Sequence, residues 1–513
     1  MNLKKQTLAV SEVASNYNEI TSVDNDIIVP DVKPDVLKIL QTSHKIIITQ
    51  CNIQKDRVYV QGIIRLCILY IPDGDVIGNI KSMNLSMDFS HVIPAEGIRP
   101  EMRAFAQAEI DSLDCSLINS RKINVRGEIE INVRIICGTT INVPVEIEDA
   151  DVNSKRETLK ISNSVDCDER EIHFSDTLEV PAGKPYIGEI LRIDGIIIPR
   201  DQRFADGKVI LKADLKISTL YEAEEENLSL QLMEQEIPLT EALSFPELTD
   251  KMNIDADYAL KEISYEVIAD DNGNTCLVKV WGTVSAFIKG TEEIELEALT
   301  DLYSMNENLE VKQEKCCLEQ LCTTGDAHHA SKEAIIIPDY LPEIMQVCDL
   351  NAYPKITSVS ISDGSVSVKG YLASNLLYLS TDSSIPVSGF NHNTDFLIEI
   401  PVADACPDMV CDAKAELDHL AYNITSGRGL ELRYIIVISV KLCRKERLSF
   451  IDSVTLSEEP LSPMPPMIIY FSEDNELVWD IAKKYRTTPE KIMDTNHLDC
   501  DTLKQGQRIC IFR

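Results

Sequence analysis

Pro30–Leu40 reads PDVKPDVLKIL, Pro181–Leu191 reads PAGKPYIGEIL and Pro338–Cys348 reads PDYLPEIMQVC. One frame, P-x-x-x-P followed by apolar residues, is written three times. Forty residues after each first proline stands a tyrosine: Tyr70 in CILYI, Tyr221 in ISTLYE and Tyr378 in NLLYLS. A long-period repeat must be found first, because missing it mis-assigns the whole fold. The frame extends both ways. KKQTLAVS from Lys4 matches KRETLKIS from Lys155, and AEIDSL from Ala108 matches KEISYE from Lys261 and AELDHL from Ala415. The first prolines are 151 and 157 residues apart (181 − 30 and 338 − 181). That is too long for a turn of a solenoid, so each copy is expected to be a domain.

Within a copy the apolar period is two. RVYVQGIIRLCILYI from Arg57, GKVILKADLKISTLY from Gly207 and GSVSVKGYLASNLLY from Gly364 alternate as half-buried strands do. Turn signals precede them: QKD at Gln54, ADG at Ala205 and SDG at Ser362. A second hairpin is expected near the end of each copy. In the middle copy YALKEISYEVIA and TCLVKVWGTVSAFI flank DDNGN, and Asn119–Arg121 and Ser426–Gly429 are the matching turns. Each copy therefore reads as two long hairpins, an extra strand between them and a short helix. Pro30, Pro181 and Pro338 would end the preceding strand and start that helix. The expected class is mainly β: three sandwich- or barrel-like domains over 1–151, 152–308 and 309–456. SEEPLSPMPP, residues 457–466, carries four prolines and reads as a semi-rigid linker to a last domain over 467–513.

Charge narrows the partners. Lys and Arg total 49 against 84 Asp and Glu, a net charge of −35 in 513 residues. Such a surface repels nucleic acid and anionic membrane, so neither is expected as a partner. From Met467 onward seven basic residues face eight acidic ones, so the tail carries −1 and the rest −34. The acidic run EAEEE from Glu222 is expected to cap a sheet edge. No apolar run approaches 18 residues, so no transmembrane segment is expected. MNLKKQTLAVSEVASNYNEI has no sustained apolar stretch and does not read as a signal peptide. Fifteen cysteines, an odd number without a framework, read as reduced thiols in a cytosol. Cys67, Cys137, Cys276 and Cys443 fall in strand-like runs, where a free thiol acts as a small hydrophobe.

Catalytic signatures are missing. The chain holds no G-x-x-x-x-G-K-[ST], H-E-x-x-H, G-x-S-x-G or EF-hand loop. CCLEQLCTTGDAHH, Cys316 to His329, places Cys317, Cys322, His328 and His329 at nearly finger-like spacing. The repeat argues against a metal there. Cys316 aligns with Leu8 and Leu159, Cys322 with Ala14 and Val165, and His328 with Ile20 and Glu171. CPDMVC at Cys406 has no redox context. No catalytic residue, metal or cofactor is expected.

From Ile468 the period changes. Val478, Ile481, Ala482 and Tyr485 form one helical stripe, and TTPEKIM starts a second helix with Thr488 as N-cap and Pro489 at the first helical position. RICIFR closes a small strand–helix–helix–strand domain. It resembles the LysM domain at Tyr470, Trp479, Ile481, Ala482, Lys484 and Tyr485, then at Asn496 and Leu498, then at Gln505, Gly506 and Gln507. The resemblance implies binding to N-acetylglucosamine polymers such as peptidoglycan. The candidate residual glycan loop is Asp474, Asn475, Glu476 and Leu477, and it departs from the pattern: where the family has G-D-T-L this chain has Asn475, Glu476, Leu477 and Val478, and the Thr hydroxyl is lost. Trp479, Lys483 and Arg486 lie on another face of the helix and are the expected protein-docking residues.

The three copies resemble the SPOCS domain of clostridial spore proteins, with its proline-rich start and a strand ending in Leu-Tyr. SPOCS repeats followed by one LysM domain are the layout of SipL-type spore coat morphogenetic proteins. That resemblance implies a non-enzymatic mother-cell scaffold at the forespore surface. Its LysM domain would bind the coat basement-layer morphogenetic ATPase, with other coat proteins as further partners. The alternative is a wall or cortex protein that uses the LysM domain on peptidoglycan.

Overall fold

The computed structural model describes residues 2–512 apart from 75–78, 149–150, 168, 206, 225–229, 272, 460 and 462, and apart from the side chains of 11–13, 139, 148, 317, 319 and 446. Strand makes up 75% and helix 3%, so the protein is mainly β. The first unit holds β1 (Asn2–Ile28), β2 (Val36–Gln54), β3 (Arg57–Pro72), β4 (Lys81–Pro94), β5 (Arg103–Asn119) and β6 (Lys122–Glu148). The second holds β7 (Asn153–Asp166), β8 (Arg170–Glu179), β9 (Ile187–Ala205), β10 (Lys208–Ala223), β11 (Leu230–Leu243), β12 (Asn253–Ile268) and β13 (Leu277–Tyr303). The third holds β14 (Leu309–Ile336), β15 (Ile344–Ser362), β16 (Ser365–Ser380), β17 (Val387–Pro401), β18 (Val410–Ser426) and β19 (Gly429–Leu456).

Each unit is two antiparallel sheets face to face. In the first, β2-β3-β4 forms one sheet and β1-β6-β5 the other. Alternation along β3 sends Val58, Val60, Ile64, Leu66, Ile68 and Tyr70 inward, where they meet Ile123, Val125, Ile129 and Ile131 of β6. The second and third units repeat this, with the strand equivalent to β1 broken into β7 and β8 in the second. Glu222, which opens the acidic run, does not cap an edge. It lies in β10, the central strand of its sheet, paired to Leu230 on one side and Glu189 on the other. Glu225 and Glu226 lie outside the described residues.

The proline frame does not start a helix. Lys33, Lys184 and Leu341 donate their N–H to the carbonyls of Pro30, Pro181 and Pro338 in tight turns, at 2.9, 3.1 and 3.0 Å. A strand follows each turn. The second proline of each frame lacks an N–H and keeps the residue before it out of the α region. The helix-like spacing of the apolar residues has another cause. Register shifts at Val36/Lys38 and Ile39/Gln41 leave Leu37 and Leu40 as extra residues, and β9 and β15 skip at Gly188 and Leu191 and at Met345 and Cys348. Two β-bulges turn a period of two into apparent spacings of three. Tyr70, Tyr221 and Tyr378 occupy equivalent places: all are fully buried, and each O–H donates to the carbonyl of its second proline, Pro34, Pro185 or Pro342, at 3.4, 3.0 and 2.8 Å.

The bulges join the units. Leu40, Leu191 and Cys348 converge with Leu69, Leu220 and Leu377, the residues just before the three tyrosines, in a core shared by all three repeats. β4 packs against β9, β11 against β15 and β17 against β2, so the contacts run from first to second to third and back to first. A head-to-tail contact that closes in this way gives a ring. Gly389 of the third unit lies so close to the first that a Cβ there would meet the Leu40 carbonyl oxygen at 2.2 Å. On the axis side, the residues following the second bulge differ in kind. They are Gln41, Arg192 and Asp349, at 7%, 4% and 1% exposure. Arg192 donates to Gln41 Oε1 at 3.1 Å and to Asp349 Oδ2 at 2.7 Å. Burial opposes the charge on Arg192, but Asp349 and Asp194 outweigh it and the net shift of its pKa is upward. Burial also pushes the Cys348 thiol up to about 12, which leaves it protonated and unreactive.

A second junction lies beyond the sandwiches. β6 spans 27 residues, about 90 Å. Its first half is flanked by β1 and β5, but from Cys137 on it pairs with β1 alone. The same ribbon recurs as β7·β13 and as the start of β14 with the end of β19. Leu8 of β1, Ile141 and Val143 of β6, Ile161, Leu296, Leu318 and Phe450 bring the three ribbons into one core.

The tail forms β20 (Met467–Phe471), α1 (Val478–Tyr485), α2 (Pro489–Asn496) and β21 (Arg508–Phe512), with β20 antiparallel to β21. Val478, Ile481, Ala482, Ile492, Leu503, Ile509 and Ile511 make its core.

Candidate functional site

The small domain is positioned by its caps. Leu477 precedes α1 in extended conformation, and Arg486 ends it in the left-handed region with its N–H directed back to the Ala482 and Lys483 carbonyls. Thr488 caps α2, its side chain accepting from the Lys491 N–H, with Pro489 at the first helical position. Asn496 ties α2 to β21: its amide donates to the Cys510 carbonyl and accepts from the Cys510 N–H, both at 2.7 Å. Lys484 lies over the rings of Tyr470 and Tyr485, at 5.1 and 5.5 Å. That contact assigns the lysine and both tyrosines of the motif to holding the domain together.

The loop at Asp474–Leu477 is engaged internally. Asn475 adopts φ 58°, the left-handed conformation that glycine and asparagine tolerate. Glu476 accepts from the Tyr470 hydroxyl at 2.9 Å and from the Glu473 N–H at 3.0 Å. The first of these bonds, with burial, pushes the Tyr470 hydroxyl up to about 12. Leu477 is bridged to Thr502. The loop presents carboxylates at Asp474 and Glu476 and an apolar chain at Leu477.

Trp479 and Lys483 meet one group. Trp479 Nε1–H donates to Asp301 Oδ2 at 2.8 Å, and Lys483 Nζ donates to Asp301 Oδ1 at 2.6 Å. Asp301 belongs to the last residues of β13, in the second repeat. Two residues on, the Tyr303 ring meets Trp479 edge-on at 5.1 Å, and its hydroxyl donates to the Thr487 carbonyl at 2.6 Å. Burial, then Glu490 and Asp301, pushes that hydroxyl up to about 12, so it stays a donor. Met305 completes the contact from the β body. Arg486 is half-buried at the helix end. Sequence reasoning singled out Trp479 and Lys483 but missed Asp301 and Tyr303, which lie in neither the repeat frame nor the LysM motif. It also missed the outer face of the β20–β21 sheet, where Met467, Ile469, Phe471 and Phe512 are exposed.

The Cys/His cluster is spread along a single strand. Cys316 and His328 both belong to β14, twelve residues and about 40 Å apart. Cys316 packs beside Leu8 and Leu159 in the shared ribbon core, as the repeat alignment requires. Cys322 is exposed, and the side chain of Cys317 lies outside the described residues. Among the described residues no group of three or more His, Cys, Asp and Glu is placed to hold a metal ion. Cys406 and Cys411 are free and pack against the third sandwich core. No helix among the described residues is long and apolar enough to cross a membrane.

Comparison with known families assigns the parts. Residues 35–118, 186–268 and 343–425 each match the family described as SipL, SPOCS domain, and residues 475–512 match the LysM domain. Both are families of non-catalytic binding or scaffold domains, and together they support a sporulation-associated protein with a module of the carbohydrate-binding LysM class. No curated protein and no solved structure matches the chain.

Proposed function

Because the chain has the SipL-type architecture, three SPOCS domains followed by one LysM domain, we propose that it is a non-enzymatic scaffold of spore coat assembly. In this reading the LysM domain binds the basement-layer morphogenetic ATPase through the face of Trp479, Lys483 and Arg486. The three-repeat ring is the platform that carries it and presents further surfaces to other coat proteins. The protein works in the mother cell, at the forespore surface. One observation carries the reading: the α1 face is already engaged with a protein segment, through Asp301 and Tyr303. The loop that would face a glycan has Leu477 in place of a hydroxyl and has Glu476 committed to Tyr470 and Glu473.

The test is recovery of the ATPase from sporulating cells by the tagged full chain, by a chain ending at residue 466 and by full-length Trp479→Ala. The full chain should recover it, the shortened chain should not, and the substitution should reduce recovery. Chitin oligomers titrated against the full chain should show no binding. Equal recovery by the shortened chain, or chitin binding as tight as the protein contact, overturns the proposal in favour of a peptidoglycan-binding wall or cortex protein.

A further inference from the structure

The contact between α1 and the β body has the form of a peptide held in a reader. Asp301 and Tyr303 are two apart on a strand, so both leave the same face. The carboxylate takes the indole N–H and the ammonium, one on each oxygen, and the ring and hydroxyl two residues on take Trp479 and the Thr487 carbonyl. The repeat itself does not require this pair. At the matching offsets from the first proline, 120 and 122 residues, the first copy has Ala150 and Val152 and the third has Glu458 and Pro460. Only the second copy combines an acid with a tyrosine. The LysM core is built from the tail's own residues, with Tyr303 and Met305 added from outside. The charged half of the contact is partly open to water, with the Lys483 side chain 41% exposed and that of Asp301 18%, while the Tyr303 hydroxyl bond to Thr487 is buried, so a competitor reaches the carboxylate site first.

We propose that α1 is a reader of extended acidic–aromatic segments, an Asp or Glu two residues before a Tyr. Asp301-Leu302-Tyr303 is the resident copy, and a partner protein presents its own copy to displace it. This rests on the reading of the LysM domain as a protein-docking module and names the chemistry of the segment it takes. The resident copy lowers the apparent affinity for the partner by the fraction of time it occupies the face. Weakening it therefore strengthens partner binding, the reverse of what loss of a binding residue does.

The experiment uses the full chain and a fluorescently labelled peptide of residues 298–306, ALTDLYSMN. Asp301→Asn should bind the peptide at least about tenfold tighter than the unsubstituted chain. Adding Lys483→Gln or Trp479→Ala should remove the gain, and the lysine variant keeps the test valid if loss of the tryptophan unfolds the domain. A peptide with Asn in place of its Asp should bind at least about tenfold more weakly. Equal binding by the unsubstituted and Asp301→Asn chains, absence of binding by Asp301→Asn, or binding that survives both α1 substitutions overturns the proposal. The docking reading fails separately. If Asp301→Asn takes the peptide but recovers no ATPase, the reader stands and the partner is another protein. If the ATPase is recovered through Trp479 with no gain from Asp301→Asn, the docking reading stands and the reader falls.

Discussion

Two charged contacts join parts of this chain that are distant in sequence, and they have nearly the same length. Arg192 meets Asp349 at 2.7 Å on the ring axis, and Lys483 meets Asp301 at 2.6 Å where the LysM domain docks. Distance does not distinguish them; burial does. The first pair lies at 3% and 1% side-chain exposure, the second at 41% and 18%. A buried ion that loses its partner stays desolvated and uncompensated, so breaking the axis contact is costly. A partly exposed ion that loses its partner regains water, and such pairs contribute little net stability. The same chemistry is fully buried where three domains meet and partly exposed where the fourth docks.

The largest test of this contrast is Arg192→Met. It leaves Asp349 buried without a cation and should cost about 3–5 kcal/mol of stability, measured by chemical denaturation. A cost below about 1 kcal/mol, the range of a surface pair, would erase the difference between the contacts. Replacing Gln41, Arg192 and Asp349 together by Leu, Met and Leu should recover part of the loss, since apolar replacement of buried ions is often neutral or stabilising, while Asp194, which also pairs with Arg192 at 2.7 Å and is 48% exposed, can turn to water.

Next in size is Tyr378→Phe, which keeps the buried ring and removes the donor to the Pro342 carbonyl at 2.8 Å. It should cost about 1–3 kcal/mol, because the carbonyl loses its partner in a dry site. Tyr70→Phe, where the bond is 3.4 Å, should cost less. Equal losses would mean that the ring packing, and not the hydroxyl, makes the position what it is.

Asp301→Asn should change global stability by less than about 1 kcal/mol. It should nevertheless release the LysM domain, read as a shift of the Trp479 indole N–H resonance and as a more extended form in solution scattering. A stability loss matching that of Arg192→Met would make the docking contact structural. The smallest effect should come from salt. Between about 0.01 M and about 1 M the screening length falls from about 30 Å to about 3 Å. The Trp479 resonance should move part of the way toward that of the Asp301→Asn chain, while the denaturation midpoint of the ring stays in place. No movement of that resonance would show the contact to be held by the rings of Trp479 and Tyr303 and not by charge.

Much of this architecture is local and is therefore written in short stretches. The 40-residue offset from proline to tyrosine marks a real hydrogen bond, made 36 residues apart from the second proline in every copy. Alternation along β3, β10 and β16, the turns before them, the Thr488 cap and the stripe Val478, Ile481, Ala482 each depend on neighbours within a few residues, and each was legible. The bulges were not. A bulged strand carries the spacing of a helix, and only pairing with the next strand tells them apart. Strand length also escaped, because β6 continues past its own sandwich only where other ribbons cover it. One signal was present: a Gln, an Arg and an Asp at the same offset of 11 from the first proline, next to Leu40, Leu191 and Cys348. Three unlike polar residues at one repeated position mark a place where the copies face one another. Which of them meets which, and that Asp301 and Tyr303 meet α1, depends on closure of the ring and the resting place of the tail. Those are set by shape and charge complementarity between surfaces more than 100 residues apart in the chain, and no short-range pattern encodes them.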